Sequence, residues 1–198
     1  NPSRGDMVAA VSDALVERAL TAWPCFHRVS IRVVPNAVPT SLFRPARSSM
    51  VYRAHLSSLA GRSSQSPSAP PSSPQLSPPS SISLVFAHSS NFRDVKNPVA
   101  AARAAILTAR ALHLTAGCRV HATLLLIGGG PLLAATASAA EAIAADPDSP
   151  PLRVVCTGRL SRVRTAEAIA ASDILLVSSA HEGFCLVALE ALACGVPI

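Results

Sequence analysis

Two glutamates near the end of the chain have the type and spacing to act on hydroxyls or anions. Glu182 and Glu190 are separated by seven residues in the run His181-Glu182-Gly183-Phe184-Cys185-Leu186-Val187-Ala188-Leu189-Glu190. The first falls in a loop. The second falls about one and a half turns inside the helix expected from Cys185 to Cys194. Glu190 is surrounded by apolar and Ala residues, where an unpartnered carboxylate is costly, so it wants a hydroxyl or a cation. The N–H groups of Phe184, Cys185 and Leu186 lack partners inside a helix that starts there, and such groups can hold a phosphate. The plainer alternative is a capping acid followed by a surface acid.

A second candidate is Ser90-Asn91-Phe92-Arg93-Asp94-Val95-Lys96. Arg93 and Lys96 lie just before a helix expected from Pro98 to Leu114, with Asn97 as its N-cap and Pro98 at its first position. Cations there oppose the helix dipole unless an anion joins them. Lys96 is the single lysine of a chain with sixteen arginines. A solvated basic turn is the alternative. Two further turns are Gly128-Gly129-Gly130-Pro131 and Gly158-Arg159-Leu160. Glycines there admit a ligand close to the backbone, or make a plain strand-to-helix turn. Neither run is GxGxxG, so a dinucleotide fingerprint is not supported.

All four runs follow short apolar segments that alternate with helical ones. Strands are expected at Ser83–Ala87, Thr123–Ile127, Arg153–Cys156 and Ile174–Val177. Helices are expected at Pro98–Leu114, Leu132–Ala145, Ser161–Ala171 and Cys185–Cys194, the last closed by Gly195. Upstream, Ser12 caps a helix to Leu20, and Ile31–Val34 is a short strand. Strands apolar on both faces imply an α/β fold, a Rossmann-like parallel sheet flanked by helices. Such sheets bind ligands beyond the carboxyl ends of their strands, where every candidate above falls.

Composition sharpens this. The chain has 198 residues, 49% hydrophobic and 14% charged, which excludes wholesale disorder. Its apolar runs fall far short of the roughly 18 residues of a membrane span. The net charge of +6 comes from scattered arginines with few aromatics, so no nucleic-acid partner is expected. Five cysteines without CxxC spacing read as reduced core thiols of a cytoplasmic protein, with no disulfide framework and no metal site. Residues 63–81 hold nine Ser and six Pro and read as a disordered insert. The organisation expected is a linker region over 1–45, a connecting segment over 46–62, the insert, and a ligand-binding domain over 82–198.

The motifs resemble a known family. EGFCLVALEALACGVP resembles the E-x7-E motif of retaining GT-B glycosyltransferases. VVPNAVPTSLFRP (Val33 to Pro45) is similar to that family's linker into its C-terminal domain. LLLIGGGP and AIAASDILLVSSAHEGF resemble its glycine turn and the run into its first glutamate, and all occur in the family's order. HSSNFRDVKNP (His88 to Pro98) narrows the resemblance to the N-acetylglucosaminyl L-malate synthases of bacillithiol biosynthesis. Cys185 stands where the family usually has Gly. Asn1 in place of Met, and an end at Ile198 where the family continues, lead to the expectation of a donor domain incomplete at both ends.

The resemblance implies a fold, a reaction and roles. The fold is the GT-B C-terminal domain. The reaction moves a sugar, N-acetylglucosamine, from a UDP-sugar to a small-molecule acceptor, L-malate, with retention and without a metal or other cofactor. Arg93 and Lys96 would neutralise the leaving diphosphate, and Glu182 would contact the donor sugar. Phe184, Cys185 and Leu186 would hold sugar and phosphate by their N–H groups, and Glu190 the ribose. Arg159 and Leu160 would border the uracil, with Asn91, Gly128 and Gly130 also lining the donor site. The alternatives are a nucleotide-sugar-binding piece that is silent alone and a GT-B sugar-nucleotide epimerase.

Overall fold

Four parallel strands form the main sheet of a computed structural model that describes residues 7–45, 81–146 and 149–198. They are β3 (Ser81–Ser90), β4 (Arg119–Gly128), β5 (Leu152–Gly158) and β6 (Ile174–Leu175), in the order β5-β4-β3-β6. A separate parallel pair precedes them, β1 (Met7–Ala10) and β2 (Ser30–Val33), joined through helix α1 (Asp13–Ala22). The expected α/β class and parallel sheet are therefore present. The strand β1 was not expected, because MVAA is short and lacks an alternating pattern.

The helices follow the strands. They are α2 (Pro98–Thr115), α3 (Leu133–Ala144), α4 (Arg162–Ala170) and α5 (Leu186–Ala193). Ser12 and Ser161 cap α1 and α4 by accepting the N–H groups of Leu15 and Arg164. Gly195 closes α5 at a φ of +73°, as its glycine identity allows. Asn97 precedes α2 as expected, but its side chain makes no cap hydrogen bond. It sits at a φ of +44°, a left-handed conformation that Asn tolerates.

Alternation along the strands splits the core in two. Val85, Ala87, Leu125 and Ile127 face α4, α5 and the linker residue Phe43. Phe86, Leu124 and Leu126 face α2 and α3. The face of α2 toward the sheet is Ala102, Ala105, Ile106 and Ala109, mostly small residues that let the helix come close. Each fully buried Leu or Phe contributes roughly 1.5–3 kcal/mol. The sheet thus draws its stability from both faces, the reason its strands read as continuous apolar runs.

One expectation needs correction. All five cysteines are free, but only Cys194 is buried; Cys156 is exposed. Cys156 lies on β5, an edge strand that among the described residues has a neighbour on one side only. The insert over 63–81 lies outside the described residues, except that Ser81 is the first residue of β3. The connecting segment over 46–62 lies outside them too.

Candidate functional site

The strand order places a switch point between β3 and β6. The chain leaves β3 toward β4 on one side and later returns to β6 on the other. The loops beyond the two carboxyl ends therefore diverge and open a crevice, the usual ligand position in such sheets. Arg93 and Lys96 leave from β3, and Glu182 leaves from β6.

The structure brings two of these three together. Lys96 Nζ donates to Glu182 Oε1 at 2.5 Å, across 86 residues of sequence, and both side chains are about three-quarters buried. Hydrogen bonds to the backbone hold the loops in place. The Ala180 N–H donates to the Val95 carbonyl at 2.9 Å, and the Ser178 hydroxyl shares its one proton between the carbonyls of Lys96 and Asn97. Asp173 pins β6 to β3 below, where its carboxylate accepts the Val85 N–H at 2.8 Å. Lys96 therefore does not simply oppose the α2 dipole, since Glu182 faces it. Arg93 stands exposed on the turn.

Burial alone would raise the Glu182 carboxyl. Hydrogen bonds from Lys96 and Ser179, the Lys96 charge and the Cys185 thiol outweigh it and hold the group below the usual carboxylate range. Glu190 shows the opposite balance. Burial pushes its carboxyl up, and the Arg162 charge offsets only part of that. Arg162 also lies over the Phe43 ring, its guanidinium carbon 5.8 Å from the centroid. Phe184, Cys185 and Leu186 form the N-terminus of α5, one glycine after Glu182, with Cys185 in the N-cap position.

The glycine turn is packed closely against the protein's own backbone. A Cβ at Gly128 would lie 2.0 Å from the Ser90 carbonyl oxygen, and one at Gly130 would lie 1.9 Å from that of Asn91. What approaches these glycines is the turn carrying Asn91 and Arg93. Gly129, between these two glycines, faces the side chain of Arg159. Leu160 packs against the core on the α4 side. The loop holding Glu182 also touches the first βαβ unit. The Ser12 hydroxyl donates to the Gly183 carbonyl at 3.1 Å, and a Cβ at Gly183 would meet the flexible end of Leu15.

Sequence reasoning missed His88, buried on β3, and Arg162. A histidine inside an apolar strand looks like packing, and Arg162 looked like one more scattered arginine. Among the described residues, no three His, Cys, Asp or Glu side chains gather in a group that could hold a metal ion. Among them, no helix is long and apolar enough to cross a membrane.

Comparison with known proteins agrees with this architecture. The chain is 37% identical over 115 residues to N-acetyl-alpha-D-glucosaminyl L-malate synthase of Bacillus anthracis. That match takes in 57% of this chain and 26% of the relative, so the chain spans about a quarter of the relative's length. Among solved structures, Anabaena HepE in complex with UDP and glucose superposes with a TM-score of 0.63 at 18% identity, covering 96% of this chain and 43% of that one. Sucrose-phosphate synthase from Thermosynechococcus elongatus gives 0.57 at 23% identity, covering 97% and 39%. These likenesses establish the GT-B fold for the chain. The model of the family described as glycosyl transferases group 1 matches residues 91–198, from the turn after β3 through α5. The crevice and both glutamates lie inside that match, and the chain belongs to the glycosyl transferases group 1.

Proposed function

We propose that this chain is the donor half of a glycosyltransferase that moves N-acetylglucosamine from a UDP-sugar to L-malate, with retention and without a metal. The observation that carries the reading is the Lys96–Glu182 pair at the switch point, next to the N-terminus of α5. The relative named N-acetyl-alpha-D-glucosaminyl L-malate synthase supports the sugar and the acceptor. The HepE complex supports UDP as the donor's nucleotide.

The mechanism is stabilisation of a leaving group. Negative charge builds on the diphosphate as the glycosidic bond breaks, and preorganised donors meet it without reorganising. Arg93 and Lys96 supply the cations. The ammonium of Lys96 has three protons, so it can keep Glu182 and still donate to a phosphate oxygen. The N–H groups of Phe184, Cys185 and Leu186 supply fixed dipoles at the helix start. Glu182, held ionised, accepts from the hydroxyls of the donor sugar. Glu190 accepts from the ribose hydroxyls, a partner that its half-buried position favours. Arg159 and Leu160 border the uracil, and Asn91, Gly128 and Gly130 shape the turn behind the diphosphate. The protein acts in the cytoplasm.

The test uses the full-length protein. Calorimetry with UDP should show binding, which Glu190→Ala should weaken. Product analysis with UDP-N-acetylglucosamine and L-malate should show an α-linked glycoside, at a rate that EDTA leaves unchanged. Absence of UDP binding, with Glu190→Ala indistinguishable from wild type, would overturn the reading. Turnover with UDP-glucose alone would reject the N-acetylglucosamine assignment, and a free 2-epimeric sugar product would favour an epimerase.

A further inference from the structure

His88 is 2% exposed, and its ring stands edge-on to Phe92 with centroids 5.5 Å apart. An imidazole in such surroundings must have both nitrogens satisfied. Nδ1 lies 3.0 Å from the Leu176 carbonyl oxygen, and Nε2 lies 3.0 Å from Ser90 Oγ. A carbonyl can only accept, so Nδ1 carries the proton. With the ring neutral, the form its burial favours, Nε2 accepts from the Ser90 hydroxyl. The Ser90 oxygen remains free to accept the Phe92 N–H, at 3.1 Å. The three bonds form one directed chain, with a neutral ring at its centre. Burial, the largest effect, lowers the proton affinity of the ring. The Leu176 carbonyl opposes this, and the Lys96 charge adds to it.

The two ends of this chain are the two loops of the crevice. Leu176 follows β6 and leads to Glu182. Phe92 lies in the turn after β3 that presents Arg93 and Lys96. Phe92 has a φ of +43°, a left-handed conformation that a large aromatic residue avoids, so its surroundings must hold it there. Its N–H is held by Ser90, its carbonyl accepts the Leu132 N–H at 3.0 Å, and its ring is fully buried. Its conformation turns the ring inward and leaves Asn91 and Arg93 exposed on either side.

We propose that His88 is a positioning residue that, through Ser90, locks the Arg93–Lys96 turn against the β6 exit and so sets the geometry of the donor-diphosphate site. The proposal rests on the reading of that site as a UDP-sugar site. His88 touches no substrate in this scheme. It acts through the Phe92 backbone.

The experiment is a set of variants in the full-length protein. Ser90→Ala cuts the relay with a minimal deletion, His88→Phe keeps an aromatic ring without its nitrogens, and His88→Gln returns an acceptor toward Ser90. Ser90→Ala and His88→Phe should each weaken UDP binding about tenfold, while His88→Gln should stay within about threefold of wild type; small misplacements of positioning groups have effects of this size. In an Arg93→Ala/Lys96→Ala background, His88→Phe should add less than about twofold, because coupled sites are not additive. A full tenfold loss in that background, or wild-type UDP affinity in Ser90→Ala, would overturn the proposal. A ligand-free readout separates this result from the nucleotide reading. Amide exchange at Phe92 and Ala180 should accelerate about tenfold in Ser90→Ala. Unchanged exchange at both overturns the relay whether or not the protein binds UDP. Absence of UDP binding by the wild type, with accelerated exchange in the variant, overturns only the nucleotide reading.

Discussion

Glu182 and Glu190 are seven residues apart, yet the fold gives them opposite environments. Glu182 is in the loop after β6, where Lys96, Ser179 and Cys185 converge on it and favour its charge. Glu190 is in α5, where burial disfavours its charge and Arg162 compensates in part. The loop acid is organised by the protein itself. The helix acid lies in a place the protein has desolvated without fully offsetting, which suits a group whose partners arrive with a ligand. Two carboxylates with diverging proton affinities are thus assigned different roles by their surroundings. The difference also says where to break the site.

The largest effect is expected at the cation that creates the contrast. Lys96→Ala should reduce turnover about 100-fold, the usual scale for removing one preorganised donor at a developing negative charge. It should also let the Glu182 carboxyl rise toward the ordinary range, since hydrogen bond and charge vanish together. Steady-state kinetics and a carboxyl-carbon NMR titration of the full-length protein read the two effects. Unchanged turnover would remove Lys96 from the mechanism. An unmoved Glu182 would show that Ser179 and Cys185 suffice for it.

Neutralising each acid in turn should have opposite effects on stability. Glu190→Gln should weaken UDP binding about tenfold, the scale of a lost charged hydrogen bond, while raising Tm by about 2 °C as burial of a charge is relieved. Glu182→Gln should lower Tm by a similar amount, because it leaves Lys96 without its partner. Calorimetry and thermal melts at neutral pH test both. A fall in Tm for both variants would mean that Glu190 has a partner stronger than Arg162.

How much of this was legible in the sequence can be judged from the same residues. The sheet was legible because LLLI and ILLV are apolar on both faces. The positions of Arg93, Lys96, Arg159 and Glu182 beyond strand ends follow from that reading. Four things were not. The order β5-β4-β3-β6 depends on which side each crossover takes, and local pattern does not carry that. The Lys96–Glu182 contact spans 86 residues and exists only because β3 and β6 are neighbours. The close fit of the glycine turn against the Ser90 and Asn91 carbonyls is a tertiary contact that local sequence does not announce. His88 was silent because its partners are backbone and one serine, which no spacing motif announces.

The comparison also predicts a pH dependence with opposite signs. A lowered folded-state value means that Glu182 stabilises the fold at neutral pH and loses that contribution as pH falls through its lowered value. A raised value means that the Glu190 environment favours the protonated form. Its favourable contribution is present below the ordinary glutamate range and is lost as pH rises through the raised value. On acidification from pH 7 to about 4, wild type should approach Glu190→Gln in stability, and should begin to lose its advantage over Glu182→Gln only toward the lower end. Urea midpoints at several pH values check this. Parallel curves for all three proteins would mean that neither acid differs between folded and unfolded chains.

The smallest effect is expected from Cys185→Gly. Cys185 contributes one weak donor to Glu182, beside a hydroxyl and an ammonium that remain. Its N–H at the start of α5 is a backbone group and survives the change. Loss of the thiol should let the Glu182 carboxyl rise slightly, well short of the change in Lys96→Ala. Glycine also frees the backbone at the N-cap, where Cys185 adopts a φ of −78° that any residue can take, so no strain is relieved. UDP affinity should therefore change by less than about threefold, a scale set by the modest worth of a single weak hydrogen bond. A tenfold gain in affinity would mean instead that the Cys185 side chain crowds the phosphate approach. The contrast between the two acids would then rest on steric exclusion at the helix start as well as on charge.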